Sequence, residues 1–281
     1  MRLAATSALS RPLRAFPLAA SGSAFVLTPE LETGPFYIAS ELVRKDITES
    51  KPGVPLRLHI RVIDATTYKP LKNAAVDIWH CDAAGIYSGY TSSNADGFGG
   101  PGGPSGPPPL DGNGHMPPPP PDHGPGGPPA MRPTDKETFL RGIQLTDADG
   151  FVEFQTIYPG WYVSRDIHIH TKVHVGGAVS GNIYAGGHIS HTGQIAFPDD
   201  ISDAVAKIAP YSHHKTMRTR LDEDHVFQSH TDATTMLQLS AVNAASLGDG
   251  MTGTIALVVD PSAAPEPANP IMRPMGPPER S

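Results

Sequence analysis

From Ile167 to Val175 the chain reads IHIHTKVHV, with Ile167, Ile169, Thr171, Val173 and Val175 on one parity and His168, His170, Lys172 and His174 on the other. A period of two marks an extended strand, because successive side chains leave a pleated backbone on opposite faces. The same alternation runs through LRLHIRVID, where Leu56, Leu58, Ile60 and Val62 interleave with Arg57, His59 and Arg61, and it predicts a strand with one buried face. AVDIWHC places Val76 and Ile78 on one face, and Asp82-Ala-Ala-Gly85 reads as a hairpin-like turn before a short strand carrying Tyr87. Two more strands flank Asp147-Ala-Asp149-Gly150, a turn whose glycine supplies a positive φ. TGTIALVVD, from Thr252 to Asp260, is a continuous apolar run suited to a strand buried on both faces. The single good helix runs from Asp199 to Ala209, with Asp199 or Asp200 as N-cap and Ile201, Ala204, Val205 and Ile208 in one stripe. Many short strands and one short helix predict an all-β chain, a single β-sandwich of mixed strands.

Proline and glycine divide the chain. Of 31 Pro and 29 Gly, 13 and 11 fall between Gly97 and Ala130, and a further 7 and 1 between Pro261 and Ser281. The remaining 226 residues hold 11 Pro and 17 Gly, an ordinary globular frequency and enough chain to bury a core. The expected organisation is therefore a sandwich over residues 25–260 carrying an unstructured insert at 97–130, and a disordered tail at 261–281. Residues 1–24 contain Arg2, Arg11, Arg14 and no acid; they resemble a transit peptide or export-signal remnant, or an unstructured leader, and leave localisation open. No run of about 18 apolar residues exists, which argues against a membrane span. A net charge of -7 with 21 Lys and Arg argues against nucleic acid as a partner. One cysteine, Cys81, permits no intramolecular disulfide.

His168 and His170 stand two apart on a strand, so both imidazoles share a face, with Cα atoms about 7 Å apart. That spacing suits one metal ion, although a merely polar strand face, which His174 would extend, looks the same. Two such histidines alone would suggest zinc. Tyr162, six residues earlier, and Tyr87 upstream change the expected chemistry. A phenolate is a hard anionic donor with an ordinary pKa of about 10, so it forms only against a strongly Lewis-acidic cation. Two phenolates and two neutral imidazoles suit Fe(III), whereas Fe(II) is typically held by two histidines and a carboxylate.

The stretch from Leu27 to about Asp260 resembles the intradiol ring-cleavage dioxygenases, the catechol and protocatechuate 3,4-dioxygenase family, in its small single-domain form known from fungi. The matching pieces, in family order, are LTPELETGPFY (27–37), AVDIWHCDAAGIYSGY (75–90), FLRGIQLTDADGFVEFQTIYPGWY (139–162), RDIHIH (165–170) and TGQIAFPDD (192–200). The resemblance implies a non-haem Fe(III) oxidoreductase acting on a small aromatic diol and O2 in aromatic catabolism. Tyr87, Tyr162, His168 and His170 would be the metal ligands. Arg165, Tyr162 and Gln194 would be the catalytic residues, with Tyr162 the tyrosinate displaced when substrate binds. Gly34, Pro35, Phe36 and Tyr37 resemble the segment lining the substrate mouth. The chain departs from its relatives at Asp166, an acid able to pair with Arg165, and at Ser164, where the nearest relatives have glycine. It also has Phe25 and Tyr68 where those relatives often have a pair of cysteines. The resemblance leaves the oligomeric state open, a homodimer included. The alternative is a non-catalytic transthyretin-like module, which shares the framework of Gly150, Phe154, Pro159, Gly160 and Tyr162 but needs neither Arg165 nor His-Ile-His. Because the insert separates Tyr87 from Tyr162 without supplying a ligand, deleting Gly100 to Pro129 is expected to spare iron binding. An iron titration of the folded deletion variant checks this.

Overall fold

The computed structural model describes residues 26–39, 42–92, 133–228, 230 and 234–265. The expectations for the leader, the insert and all but the first five residues of the tail lie outside the described residues. The elements are strands β1 (Pro55–Asp64), β2 (Ala75–Trp79), β3 (Arg141–Leu145), β4 (Phe151–Ile157), β5 (His168–Ser180) and β6 (Ile183–Ala196), helix α1 (Asp199–Val205), and strands β7 (Gln238–Ala241) and β8 (Met251–Val259). They form two four-stranded sheets, ordered β4-β1-β8-β7 and β3-β2-β5-β6. The first sheet is mixed, with β1 antiparallel to β4 and parallel to β8; the second is antiparallel throughout.

The alternation in β1 and β5 sets what lies between the sheets. Leu56, Leu58, Ile60 and Val62 from β1, with Phe154 and Leu257 beside them, meet Val76, Ile78, Ile169, Val173 and Ile195 from the opposite sheet in one buried cluster. The all-β sandwich expected from the periodicity is the fold.

Several local expectations are corrected. The two strands expected around Asp147–Gly150 are present, but in different sheets: β3 pairs with β2 and β4 with β1, so this turn, with Gly150 at φ +77°, carries the chain from one sheet to the other. Tyr87 lies in a loop rather than a strand, after the turn at residues 83–84. β1 is buried on more than one face, since His59 is covered as well. β8 instead begins with alternating burial and is fully enclosed only from Leu257 to Val259. Helix α1 ends at Val205, not Ala209. Lys207 N and Ile208 N donate to carbonyls three residues back, and Pro210 cannot continue a helix. Its N-cap is Pro198, and Asp199 bonds Arg218 instead of capping the helix.

The polar parity of β5 faces away from the core, yet His168, His170, Lys172 and His174 are each at most 6% exposed. The described parts of the N-terminal arm, residues 28–39 and 42–47, lie along this face, with Gly34 against His170 and Tyr37 against Lys172. Leu31 N donates to Thr192 O at 2.9 Å, Val43 N to Asn182 O at 2.7 Å and Arg44 N to Ile143 O at 3.0 Å, which lashes the arm across the second sheet. Tyr37 packs between Trp79 and the ammonium of Lys172.

Leu58 has no exposed surface, so Leu58→Ala is expected to cost about 2–5 kcal/mol in urea denaturation. Arg57→Ala, at an exposed position of the same strand, should stay within about 0.5 kcal/mol.

Candidate metal centre

Three separately positioned segments bring Tyr87, Tyr162, His168 and His170 together on the outer face of the second sheet. The histidines start β5, and His170 sits in a row between Trp79 on β2 and Gln194 on β6. The Tyr87 loop is shaped by Asp82, whose Oδ1 accepts from Ala84 N and Ile86 N, both at 3.0 Å, and whose Oδ2 pairs with Lys51 at 2.8 Å. Arg141 then grips the next residue, donating from Nε to Ser88 Oγ at 2.8 Å and from Nη2 to Ser88 O at 2.7 Å. The Tyr162 turn is held from behind by Trp161, which stacks on His214 and donates from Nε1 to Thr216 O at 2.8 Å. Gly160 joins the two tyrosine segments. Its N donates to Asp82 O at 3.2 Å, and an added Cβ would lie 2.5 Å from that oxygen, so only glycine lets the backbones approach this closely.

The four donors converge on one point. From His168 Nε2, the Tyr87 hydroxyl is 3.4 Å away, the Tyr162 hydroxyl 3.3 Å and His170 Nε2 3.1 Å. His168 Nδ1 donates to Asp166 O at 2.6 Å, which leaves the lone pair on Nε2. That one lone pair faces three groups, more than it can satisfy by hydrogen bonding. Neighbouring donors on one ion with bonds of about 2.0–2.2 Å stand at about these separations. His170 is clamped by Trp79, stacked at 4.9 Å and 3°, and by Gly34 at its edge; its buried Nδ1 has no hydrogen-bond partner among the described residues.

Burial decides the electrostatics of the set. It pushes the Tyr87 phenol well above its ordinary range, with Tyr162 adding to the effect. It raises Tyr162 too, against the opposing charge of Arg165. It lowers His168 to about 3, reinforced by Arg165, and takes His170 well below its ordinary value, reinforced by His168. The protein therefore supplies two neutral imidazoles and two phenols that ionise only against a strong cation. The residues fit a trivalent metal. Among the described residues no group of three or more His, Cys, Asp or Glu could hold a metal, so the phenols are what complete this set.

Arg165 and Gln194 lie beside the four. Arg165, 4% exposed, donates from Nη2 to Gln194 Oε1, and Gln194 Nε2 donates to Glu32 O at 2.8 Å. The acid next to Arg165 in sequence pairs elsewhere. Asp166 turns to Arg218 at 3.0 Å, and its carboxyl is raised to about 7 by burial. Arg165 is paired instead with Asp224, at 2.9 Å, and Glu32, at 3.4 Å. Ser164 adopts φ +63°, a left-handed conformation that glycine takes without strain. Phe36 stacks on Tyr87 at 4.5 Å and meets Tyr162 edge-on at 6.0 Å, putting the Gly34–Tyr37 segment directly over the tyrosines. Sequence reasoning missed Asp224, Glu32 and Trp79. Trp79 could have been found, since it shares the strand parity of Val76's neighbours Asp77 and Ala75; nothing local marks the two acids.

Comparison with known proteins bears on the fold as a whole. Residues 31–99 match the Dioxygenase family model. The solved structure of an intradiol ring-cleavage dioxygenase from Tetranychus urticae superposes with a TM-score of 0.65 at 27% identity, covering 87% of this chain and 99% of that one. The family resemblance is to the intradiol ring-cleavage dioxygenases. A second dioxygenase crystal structure gives a TM-score of 0.64 at 28% identity, covering 86% of this chain and 97% of that one. No curated protein matches the sequence. Intradiol dioxygenases generally use Fe(III).

Gly34 has φ +71°, and an added Cβ would lie 2.9 Å from His170 Cε1. Gly34→Ala is therefore expected to lose about 1–3 kcal/mol of stability, read by urea denaturation.

Proposed function

We propose that this chain is a non-haem Fe(III) intradiol dioxygenase that cleaves catechol-type rings between the two hydroxylated carbons. The convergence of two phenol oxygens and His170 Nε2 on His168 Nε2 carries the reading. Tyr87, Tyr162, His168 and His170 would hold the ion. Bound ferric iron supplies Lewis acidity, drawing electron density from a chelated diol and making its ring reactive toward O2. Both oxygen atoms enter the product as the ring carbon–carbon bond breaks, giving a muconate-type diacid with no external reductant.

The protein's own groups have separate tasks. Tyr162 Oη would accept the proton that a substrate hydroxyl sheds. The guanidinium of Arg165, fixed on three sides, stabilises negative charge developing on the ring and its oxygens. Gln194 orients the substrate. Phe36 and Tyr90, packed edge-on at 5.2 Å, keep water from the tyrosine side.

The test is the full chain loaded with ferric iron. A tyrosinate-to-iron charge-transfer band is expected, with one O2 consumed per ring across a panel of catechol, protocatechuate, hydroxyquinol and chlorocatechols. A colourless protein without O2 uptake would favour the transthyretin-like module instead, and bound zinc without the band the zinc site that the two histidines alone would suggest. Tyr87→Phe is expected to weaken iron binding by roughly 10-fold or more and to alter the band. Unchanged iron affinity and turnover would refute the ligand assignment.

A further inference from the structure

Asp224 lies 58 residues beyond Asp166 in sequence, and its side chain has no exposed surface. Oδ2 accepts two hydrogen bonds, from Arg165 Nε at 2.9 Å and from Asp166 N at 2.7 Å. Oδ1 accepts from Val226 N at 2.8 Å, within its own loop. Asp166 in turn presents its carbonyl to His168 Nδ1–H at 2.6 Å. One buried carboxylate thus reaches the cation beside the site through its side chain, and the first histidine of the set through a single residue of backbone. The same loop takes a second grip, with Arg218 Nη1 on Asp166 Oδ1 at 3.0 Å. Residue 166 is then fixed at its N–H, its side chain and its carbonyl.

We propose that Asp224 is a positioning residue that couples Arg165 to His168, setting the place of the guanidinium and the orientation of the imidazole together. This rests on the ferric dioxygenase reading above. Two properties of the geometry favour coupling over a merely structural ion pair. First, Arg165 has other acceptors, Glu32 Oε1 and Gln194 Oε1, so the Asp224 bond decides where the guanidinium sits rather than whether it is paired. Second, a carboxylate oxygen shared between a side chain and a backbone N–H transmits displacement of either donor to the other. Partners standing behind metal-binding histidines tune both ligand orientation and basicity, and their loss typically costs about 10–100-fold in metal affinity or activity.

The experiment uses the full ferric chain and Asp224→Asn, which keeps the shape and removes the charge. Expected are a folded protein with bound iron, a shifted charge-transfer band before any substrate is added, and kcat lower by roughly 10–100-fold. The dissociation constant for catechol, titrated without oxygen, should stay within about threefold, because the substrate-binding groups are all retained. A band and kcat equal to wild type would overturn the proposal. So would a fall in kcat with an unmoved band, because Asp224 would then act on Arg165 alone. Removing one member of a buried ion pair can unfold a protein. If Asp224→Asn does not fold, the Arg165→Met single variant is compared with the Arg165→Met, Asp224→Asn double variant, which leaves neither charge unpaired. A band that differs between these two supports the coupling to His168, and identical bands overturn it. A wild-type protein lacking the ferric band would instead sink the dioxygenase reading, a result that does not depend on any Asp224 variant.

Discussion

The N-terminal arm lies on the polar face of β5, and the dryness it creates there governs everything the site can do. Imidazoles and phenols on an open strand face would be solvated one by one, with ordinary proton affinities. Beneath Gly34, Phe36 and Tyr37 they lose water together, and burial holds them all neutral. A neutral, preassembled set with one lone pair facing three neighbours is a poor hydrogen-bond network and a good cage for a cation. The arm can provide this cover because the second sheet is antiparallel with its outer face free of helices. The one α-helix among the described residues, Asp199–Val205, instead packs into the sandwich core through Val205.

A second constraint comes from the far side of the site. The segment from Thr216 to Phe227 has little regular structure of its own, yet it holds the Trp161–Asp166 stretch at Thr216, Arg218 and Asp224. Arg218 gathers Asp166, Asp199 and Asp203, and Asp224 takes Arg165. Each acid faces a guanidinium, which offsets part of the cost of burying it, although burial still raises the Asp166 carboxyl to about 7. This arrangement also frees Arg165 from its sequence neighbour Asp166. An acid beside the arginine competes for it only when the fold offers that acid no better partner.

Much of this was legible in the amino-acid order. Alternation in LRLHIRVID and IHIHTKVHV marked β1 and β5 and the parity of each that enters the core. The pairing of His168 with His170 on one face followed from the same period, and the family motifs supplied Tyr87, Tyr162, Arg165 and Gln194. Three things were not legible. The turn at Asp147–Gly150 looks like a hairpin in sequence, but its strands enter different sheets, because pairing is settled by neighbours more than sixty residues away. The long β5–β6 ribbon is glycine-rich and exposed toward its tip, so it lacks the apolar alternation that marks a strand. Helix α1 gives way after Val205 to turns with hydrogen bonds three residues back, although the apolar stripe persists to Ile208.

The sequence by itself determined the periodicity of the strands, the face shared by two histidines and the kinds of donor available to a metal. Those properties are local, fixed by backbone geometry and side-chain chemistry within a few residues. Only the tertiary structure decided that two tyrosines separated by the insert meet those histidines, that the polar face of β5 is dry, and that Asp224 and Glu32 rather than Asp166 balance Arg165. Proton affinity, desolvation and charge pairing depend on everything within a few ångströms in space. The groups that supply them here come from the arm, the Tyr87 loop and the 216–227 segment, which are remote from one another along the chain.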